Sequence, residues 1–376
     1  MTVACVLCFA CFVVYKAGSI QEAHVAAAAA ALFHNPLNRP PSMDYAPFAY
    51  QPAPSEKFVI EHADELGYNS QEWTKGCNIW GNETPSEISV GLHAMIPELT
   101  DYNNRVQTFQ PVKDLRKQLI EGDDVHNAAV CQTVELDPAG LPGIFKSGEL
   151  SQTANAGYVE PLLPPMRHPE YCFYGDRKLL DLGYLVHDFS AMCRKLKPTS
   201  RTILIDMGAS LRFHQEMHHL KDMPAVYLGE LYKQFGFPFD HIYAFEKQPQ
   251  DAQKVYEEYL PEAWLTSYHW INAGVSADPT SRLNPLRWIL DTMEEDDLVV
   301  VKIDIDTPSI ELPLVLQLLK DPRYDKLVDQ FYFEHHVKLY ELGAYWTANH
   351  AVGSIRDSLH LFAGLRAKGI ASHFWV

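Results

Sequence analysis

Basic residues are scarce in this chain. It carries 31 Lys and Arg against 48 Asp and Glu, a formal net charge of −17. Such a surface repels phosphate backbones and argues against nucleic acid as a partner. The short basic run at Arg194, Lys195, Lys197 and Arg201 fits a helix end, where cations meet the negative pole of the helix dipole. Long apolar runs are also lacking. The uncharged amino-terminal stretch "VACVLCFACFVVY", residues 3–15, falls short of the roughly 20 residues a spanning helix needs. Closely spaced cysteine pairs are absent outside that stretch. Cys77, Cys131, Cys172 and Cys193 have no metal-ligand spacing, which excludes a zinc finger or ribbon. They allow two disulfides without specifying the pairing. No repeat of solenoid period is present.

What is present divides the chain unevenly. Residues 1–33 hold the apolar stretch and an alanine run at 26–31. With Thr2 and the small residues after Lys16 added, they read as a signal peptide or short signal anchor. The alternative is a buried helix of a soluble protein. The first reading implies a membrane partner and a place in the secretory pathway, at the Golgi or ER membrane, or secretion. The sequon "NET" at Asn82 is in keeping with a glycoprotein. Residues 34–57, "HNPLNRPPSMDYAPFAYQPAPSEK", are proline-rich and read as a linker or stem. Residues 58–160 form an irregular accessory region, with a short helix expected near 114–121.

From residue 161 onward the pattern becomes regular. Leu185, Phe189, Met192 and Leu196 mark one face of a helix. Apolar runs then recur: "RTILID", "HIYAFE", "YHWINAGVS", "DLVVVKIDID", "VDQFYFEHH" and "GIASHFWV". Helical patterns separate them at 212–235, 248–259, 281–295, 309–320 and 354–368. Alternating strands and helices predict an α/β domain over 161–376 with a doubly wound, mainly parallel sheet, preceded by an irregular extension. Ligands in such sheets bind beyond the carboxyl ends of the strands.

Those strand ends carry the chemistry. "ILIDMGAS" puts Asp206, Gly208 and Ser210 in the first strand-to-helix turn. A small residue there lets a ligand approach the backbone, although one glycine in place of three is no dinucleotide fingerprint. Glu246 ends the second run and suits the two hydroxyls of a ribose, with an N-cap as the plainer reading. Asn272 ends the third, where an amide can face a base or close a turn. "KIDIDTPSIE" ends the fourth with Asp304 and Asp306. Strand alternation predicts both on one face, where two carboxylates call for a cation or a shared proton. Asp306 or Thr307 before Pro308 also suits an N-cap. "FYFEHH" ends the fifth with Glu334, His335 and His336. Alternation pairs Glu334 with His336, a combination suited to general base work or metal binding.

In this order the blocks "ILIDMGAS", "YAFEK", "NAGVS", "VVVKIDIDTPSIE" and "FYFEHH" resemble the FkbM-type S-adenosylmethionine-dependent methyltransferases, in a plant- and alga-like branch. The resemblance covers roughly residues 202–376. Lys302, Asp304 and Glu311 carry it most, followed by Glu334 with its two histidines; here "IDTPSI" fills a gap that is shorter and contains glycine in the family. The resemblance implies a Rossmann-like methyltransferase fold and methyl transfer from S-adenosylmethionine to a hydroxyl or carboxylate of a small molecule or glycan. Asp206, Gly208 and Ser210 would contact the methionine part of the cofactor, Glu246 the ribose and Asn272 the adenine. Asp304 would lie beside the sulfonium, with His335 or His336 as base or as metal partner of Asp304 and Asp306. Two other readings stay open. An apolar anchor, a stem and Asp304-x-Asp306 holding a divalent cation also describe a lumenal glycosyltransferase. A methyltransferase-like scaffold without activity is the third.

Overall fold

The computed structural model describes residues 48–51, 54–79, 90–91, 93–94, 118, 144–147, 196–209, 224–234, 236–343 and 351–375. In chain order the main elements are β1 (Phe48–Gln51), α1 (Pro54–Glu61), β2 (Ile144–Ser147), β3 (Thr202–Met207), α2 (Pro224–Gln234), β4 (His241–Phe245), β5 (Tyr268–Ile271), α3 (Pro285–Thr292), β6 (Leu298–Ile303), α4 (Pro308–Lys320), β7 (Gln330–Phe333), α5 (Ile355–Ala367) and β8 (Ala371–Phe374). β1 and β2 form a small antiparallel pair. The other six strands make one sheet, ordered β5-β4-β3-β6-β7-β8, and every pairing in it is parallel. This is the doubly wound α/β arrangement expected from the alternating pattern. Its order reverses between β3 and β6, where such folds open a ligand crevice.

Strand composition explains the sheet. β3 and β6 are buried along their whole length, and a parallel strand covered on both faces needs a continuous apolar run. Period-two alternation then separates two faces. Ile203, Ile205, Val299, Val301, Phe331 and Phe333 join the main core with Leu314, Leu318, Leu359 and Phe362 of α4 and α5. The other face is polar in one row, because the register aligns Asp206 with Lys302 and Lys302 with Tyr332. Helix starts follow local chemistry. Asn284 accepts from the amides of Leu286 and Arg287 before Pro285-led α3. Ser354 and Asp357 form a capping box at α5.

The segment 54–79 belongs to this core. α1 spans the sequence boundary drawn at 57/58, and Val59, Ala63, Leu66, Tyr68 and Ile79 pack in the same cluster as the sheet. Glu56 and Arg366 form an ion pair at 3.6 Å with both side chains fully buried. Further along, Thr74 donates to Lys338 O at 2.9 Å, and the amides of Gly76 and Cys77 each donate to the Glu341 carboxylate at 2.9 Å. Cys77 is disulfide-bonded. Cys131, Cys172 and Cys193 lie outside the described residues, as do the Asn82 sequon, the 114–121 helix apart from residue 118, and the Leu185–Met192 face.

The membrane expectations need correction. No helix among the described residues is long and apolar enough to cross a membrane. The longest, α4 and α5, have 13 residues each, about 20 Å at 1.5 Å per residue against a hydrocarbon layer of about 30 Å. The membrane partner and the Golgi or ER membrane address are therefore withdrawn. The apolar stretch 3–15 and the alanine run themselves lie outside the described residues.

Candidate active site

The first turn brings two strand ends into contact. Gly208 has φ +94°, and a Cβ there would stand 1.5 Å from the carbonyl oxygen of Asp304. Only glycine permits both the left-handed backbone and that approach. The amides of Gly208 and Ala209 both donate to Phe245 O at 3.0 Å. They close the turn onto β4 and are not spare donors for a ligand. Ser210 lies outside the described residues.

Lys302 is the hub of the polar face. Its ammonium is 3.0 Å from Asp206 Oδ1 and 3.0 Å from Asp304 Oδ2, and it donates to Gly208 O at 3.4 Å. The ammonium also sits 5.0 Å above the Trp375 ring, while Trp375 Nε1 donates to Asp304 Oδ2 at 2.9 Å. Burial favours loss of the proton, but the charges and hydrogen bonds of Asp206 and Asp304 outweigh it and hold Lys302 above its ordinary range. One ammonium between two carboxylates leaves a net negative charge at the strand ends. Trp375 was not singled out by sequence. Extending the alternation of "ASHFW" one step past β8 puts it on the His373 face and was the available signal.

Glu246 and Asn272 form the next pair. Glu246 is buried, and its Oε1 accepts from the Gln248 amide at 2.5 Å. Burial raises its pKa, and the charges of Asp206 and Asp304 push the same way, against the Gln248 hydrogen bond and Lys302. The Asn272 side-chain amide donates to Glu246 O at 2.7 Å and Gln248 O at 2.8 Å. Asn272 thus braces the loop that presents Glu246.

The third group stands beyond β6 and β7. His336 Nε2 is 2.9 Å from Glu334 Oε2 and 3.5 Å from Asp306 Oδ1. One donor atom from each of Asp306, Glu334 and His336 lies within 4.8 Å of the others, a set able to hold a metal ion. Two carboxylates and one imidazole suit manganese, iron or zinc. Burial acts to lower the His336 pKa, but the Glu334 hydrogen bond and the charges of Glu334, Glu311 and Asp306 raise it overall. Glu334 is raised, first by burial and then by Asp304, with His336 opposing. Glu311, at the start of α4, receives the Ile305 amide at 2.8 Å, and burial pushes its carboxyl up to about 7.

The two aspartates do not form the expected pair. β6 ends at Ile303, so strand alternation does not reach Asp306. Asp306 has φ +53°, and this left-handed turn sends its carboxylate to His336, while Asp304 stays with Lys302 and Trp375. Thr307 occupies the N-cap position without a side-chain cap bond; its hydroxyl donates to Ile305 O at 3.0 Å. His335 stacks on Phe333 at 5.1 Å and 16°, on the apolar face away from His336. Burial there lowers its pKa to about 3, so it remains a neutral ring.

Comparison with known proteins leaves these groups to speak for themselves: no family model, no curated protein and no solved structure matches the chain. The fold is a Rossmann-like α/β enzyme fold able to bind a ligand or cofactor beyond its strand ends, and its acid–histidine cluster is able to chelate a metal ion.

Proposed function

We propose that this protein is a metal-dependent transferase that moves a glycosyl group from a sugar nucleotide to an acceptor hydroxyl. The observation that carries the reading is the convergence of Asp306, Glu334 and His336 within 4.8 Å, past the ends of β6 and β7 and next to the point where the strand order reverses. The cation would rest on those three side chains, with Asp304 outside the chelate. When bound, it would supply positive charge for a departing diphosphate. Glu246 would accept from the ribose hydroxyls of the donor, held in place by Asn272 and Gln248. Lys302 would hold Asp304 in place at the strand ends.

A second reading, O-methylation with S-adenosylmethionine, has its own support. Asp206 and Asp304 contact the Lys302 ammonium, Glu246 feels its charge, and Glu334 lies against Asp304; such a surplus of carboxylates favours a cationic sulfonium. The blocks resembling FkbM-type methyltransferases lie on these same strand ends. Calorimetry on the full chain separates the two. Binding of uridine diphosphate that requires manganese and is lost in Asp306→Asn supports glycosyl transfer. Binding of S-adenosylhomocysteine alone overturns it in favour of methyl transfer. Silence toward both, in folded protein, rejects both and leaves a scaffold.

A further inference from the structure

A second set of nitrogen donors stands on the opposite face of the sheet, toward its amino end. His241 opens β4 and His269 is the second residue of β5. The register places Tyr243 beside His269, and His241 lies two residues earlier on the same face. His241 Nδ1 is 3.0 Å from His269 Nε2. Both rings are half-buried, so solvent reaches the pair. Tyr243 stacks on His269 at 4.8 Å and 19° and meets the edge of Trp288 from α3 at 6.1 Å. The His269 ring is therefore held between a rigid strand and a fixed aromatic neighbour.

We propose that His241 and His269 form a two-histidine site for a divalent transition ion, copper(II) ahead of zinc(II), separate from the acid–histidine cluster at the strand ends. Metal–imidazole bonds of about 2.0–2.1 Å at a right angle place two cis nitrogens about 2.9 Å apart, against about 3.3 Å for a tetrahedral angle. The observed 3.0 Å is the hydrogen-bonded spacing of the metal-free rings, from which either arrangement is reached by a small ring shift. Imidazole is a suitable ligand for this ion, and copper(II) heads the affinity order of the divalent series. In the metal-free pair, one ring donates its N–H to the lone pair of the other. Binding needs that proton to shift to the outer nitrogen of the same ring, so two neutral rings bind without net proton release. The nearby Arg201 guanidinium is occupied by Asp297. Water fills the remaining coordination positions.

Copper(II) titration of the full chain, read by calorimetry and electron paramagnetic resonance, tests the site. Two classes of binding are expected, one with hyperfine structure from two nitrogens. His269→Gln should weaken that class at least 100-fold and erase the two-nitrogen pattern, and His241→Gln should do the same. His336→Gln should leave the pattern intact. If both glutamine variants keep wild-type affinity and spectrum, the site is overturned. If His269→Gln fails to fold, the His241→Gln result decides alone.

Discussion

The Lys302 ammonium lies 3.0 Å from the Asp206 carboxylate, and each side chain is only 1% exposed. Neither charge can be stranded cheaply. Lys302→Met leaves Asp206 and Asp304 facing each other without a cation, and breaking a buried pair from one side costs about 3–5 kcal/mol. Adding Asp206→Asn should recover part of that loss, because an uncompensated buried charge disappears. Urea unfolding of the two variants measures this. A loss below about 1 kcal/mol for Lys302→Met would contradict a buried, coupled pair.

Gly208 and Asp304 make a second contact that sequence alone undervalued. Gly208→Ala would force a methyl group to within 1.5 Å of the Asp304 carbonyl and strain a φ of +94°. The turn must open, separating β3 from the end of β6. A loss of at least about 2 kcal/mol is expected, with ligand binding at the strand ends falling alongside thermal stability. An unchanged melting temperature would mean the turn is looser than the structure indicates.

The strands were legible because burial on both faces leaves a plain signature. "DLVVVKIDID" contains β6, and "RTILID" differs from β3 by one residue at each end. Helices marked by proline and caps were legible too, as 309–320 became Pro308–Lys320 and 354–368 became Ile355–Ala367. The expected helix 248–259 forms from Ala252, after the Asp251 cap, and widens into a π-helix over Val255–Tyr259. Of the expected helix 212–235, the part before Pro224 lies outside the described residues. At the site, alternation correctly joined Glu334 to His336. It failed for Asp304 and Asp306, because the positive φ at Asp306 turns its carboxylate away and cannot be read from "IDID". The packing of 54–79 onto the 337–343 loop was illegible for another reason. It depends on long-range hydrogen bonds such as Gly76 to Glu341, which leave no local pattern.

Glu311 gives stability a distinctive pH dependence. Its ordinary value of 4.5 is raised to about 7 by burial. Between those values the folded state keeps a proton that the unfolded state has lost, so this contribution is complete below about pH 4.5 and is lost as pH rises through 7. The linkage is worth roughly 3 kcal/mol across the window. Glu311→Gln removes the titration while its side-chain oxygen still accepts the Ile305 amide. Denaturation curves from pH 4.5 to 8 should therefore fall more steeply for the wild type than for the variant. Parallel curves would assign no such role to Glu311.

Asp306 sets backbone comfort against ligand capture. Its φ of +53° is costly for a residue other than glycine, and its side chain is 77% exposed, so packing does not explain its position. Relief of a left-handed backbone is worth about 1–2 kcal/mol, less the roughly 0.5–1 kcal/mol of extra unfolded-state entropy that glycine brings. Asp306→Gly should therefore unfold at least as late as the wild type when metal is withheld. With manganese at 100 times its dissociation constant, the wild type should gain about 2.7 kcal/mol from binding. Asp306→Gly has lost one of three donors, so most of that gain should vanish, and the order of stability should reverse. Asp306→Asn, which tolerates the same backbone, should lose the metal gain without gaining stability in its absence. Melting curves of the three proteins with and without manganese measure both effects. If manganese shifts all three equally, the ion binds elsewhere and Asp306 is no ligand.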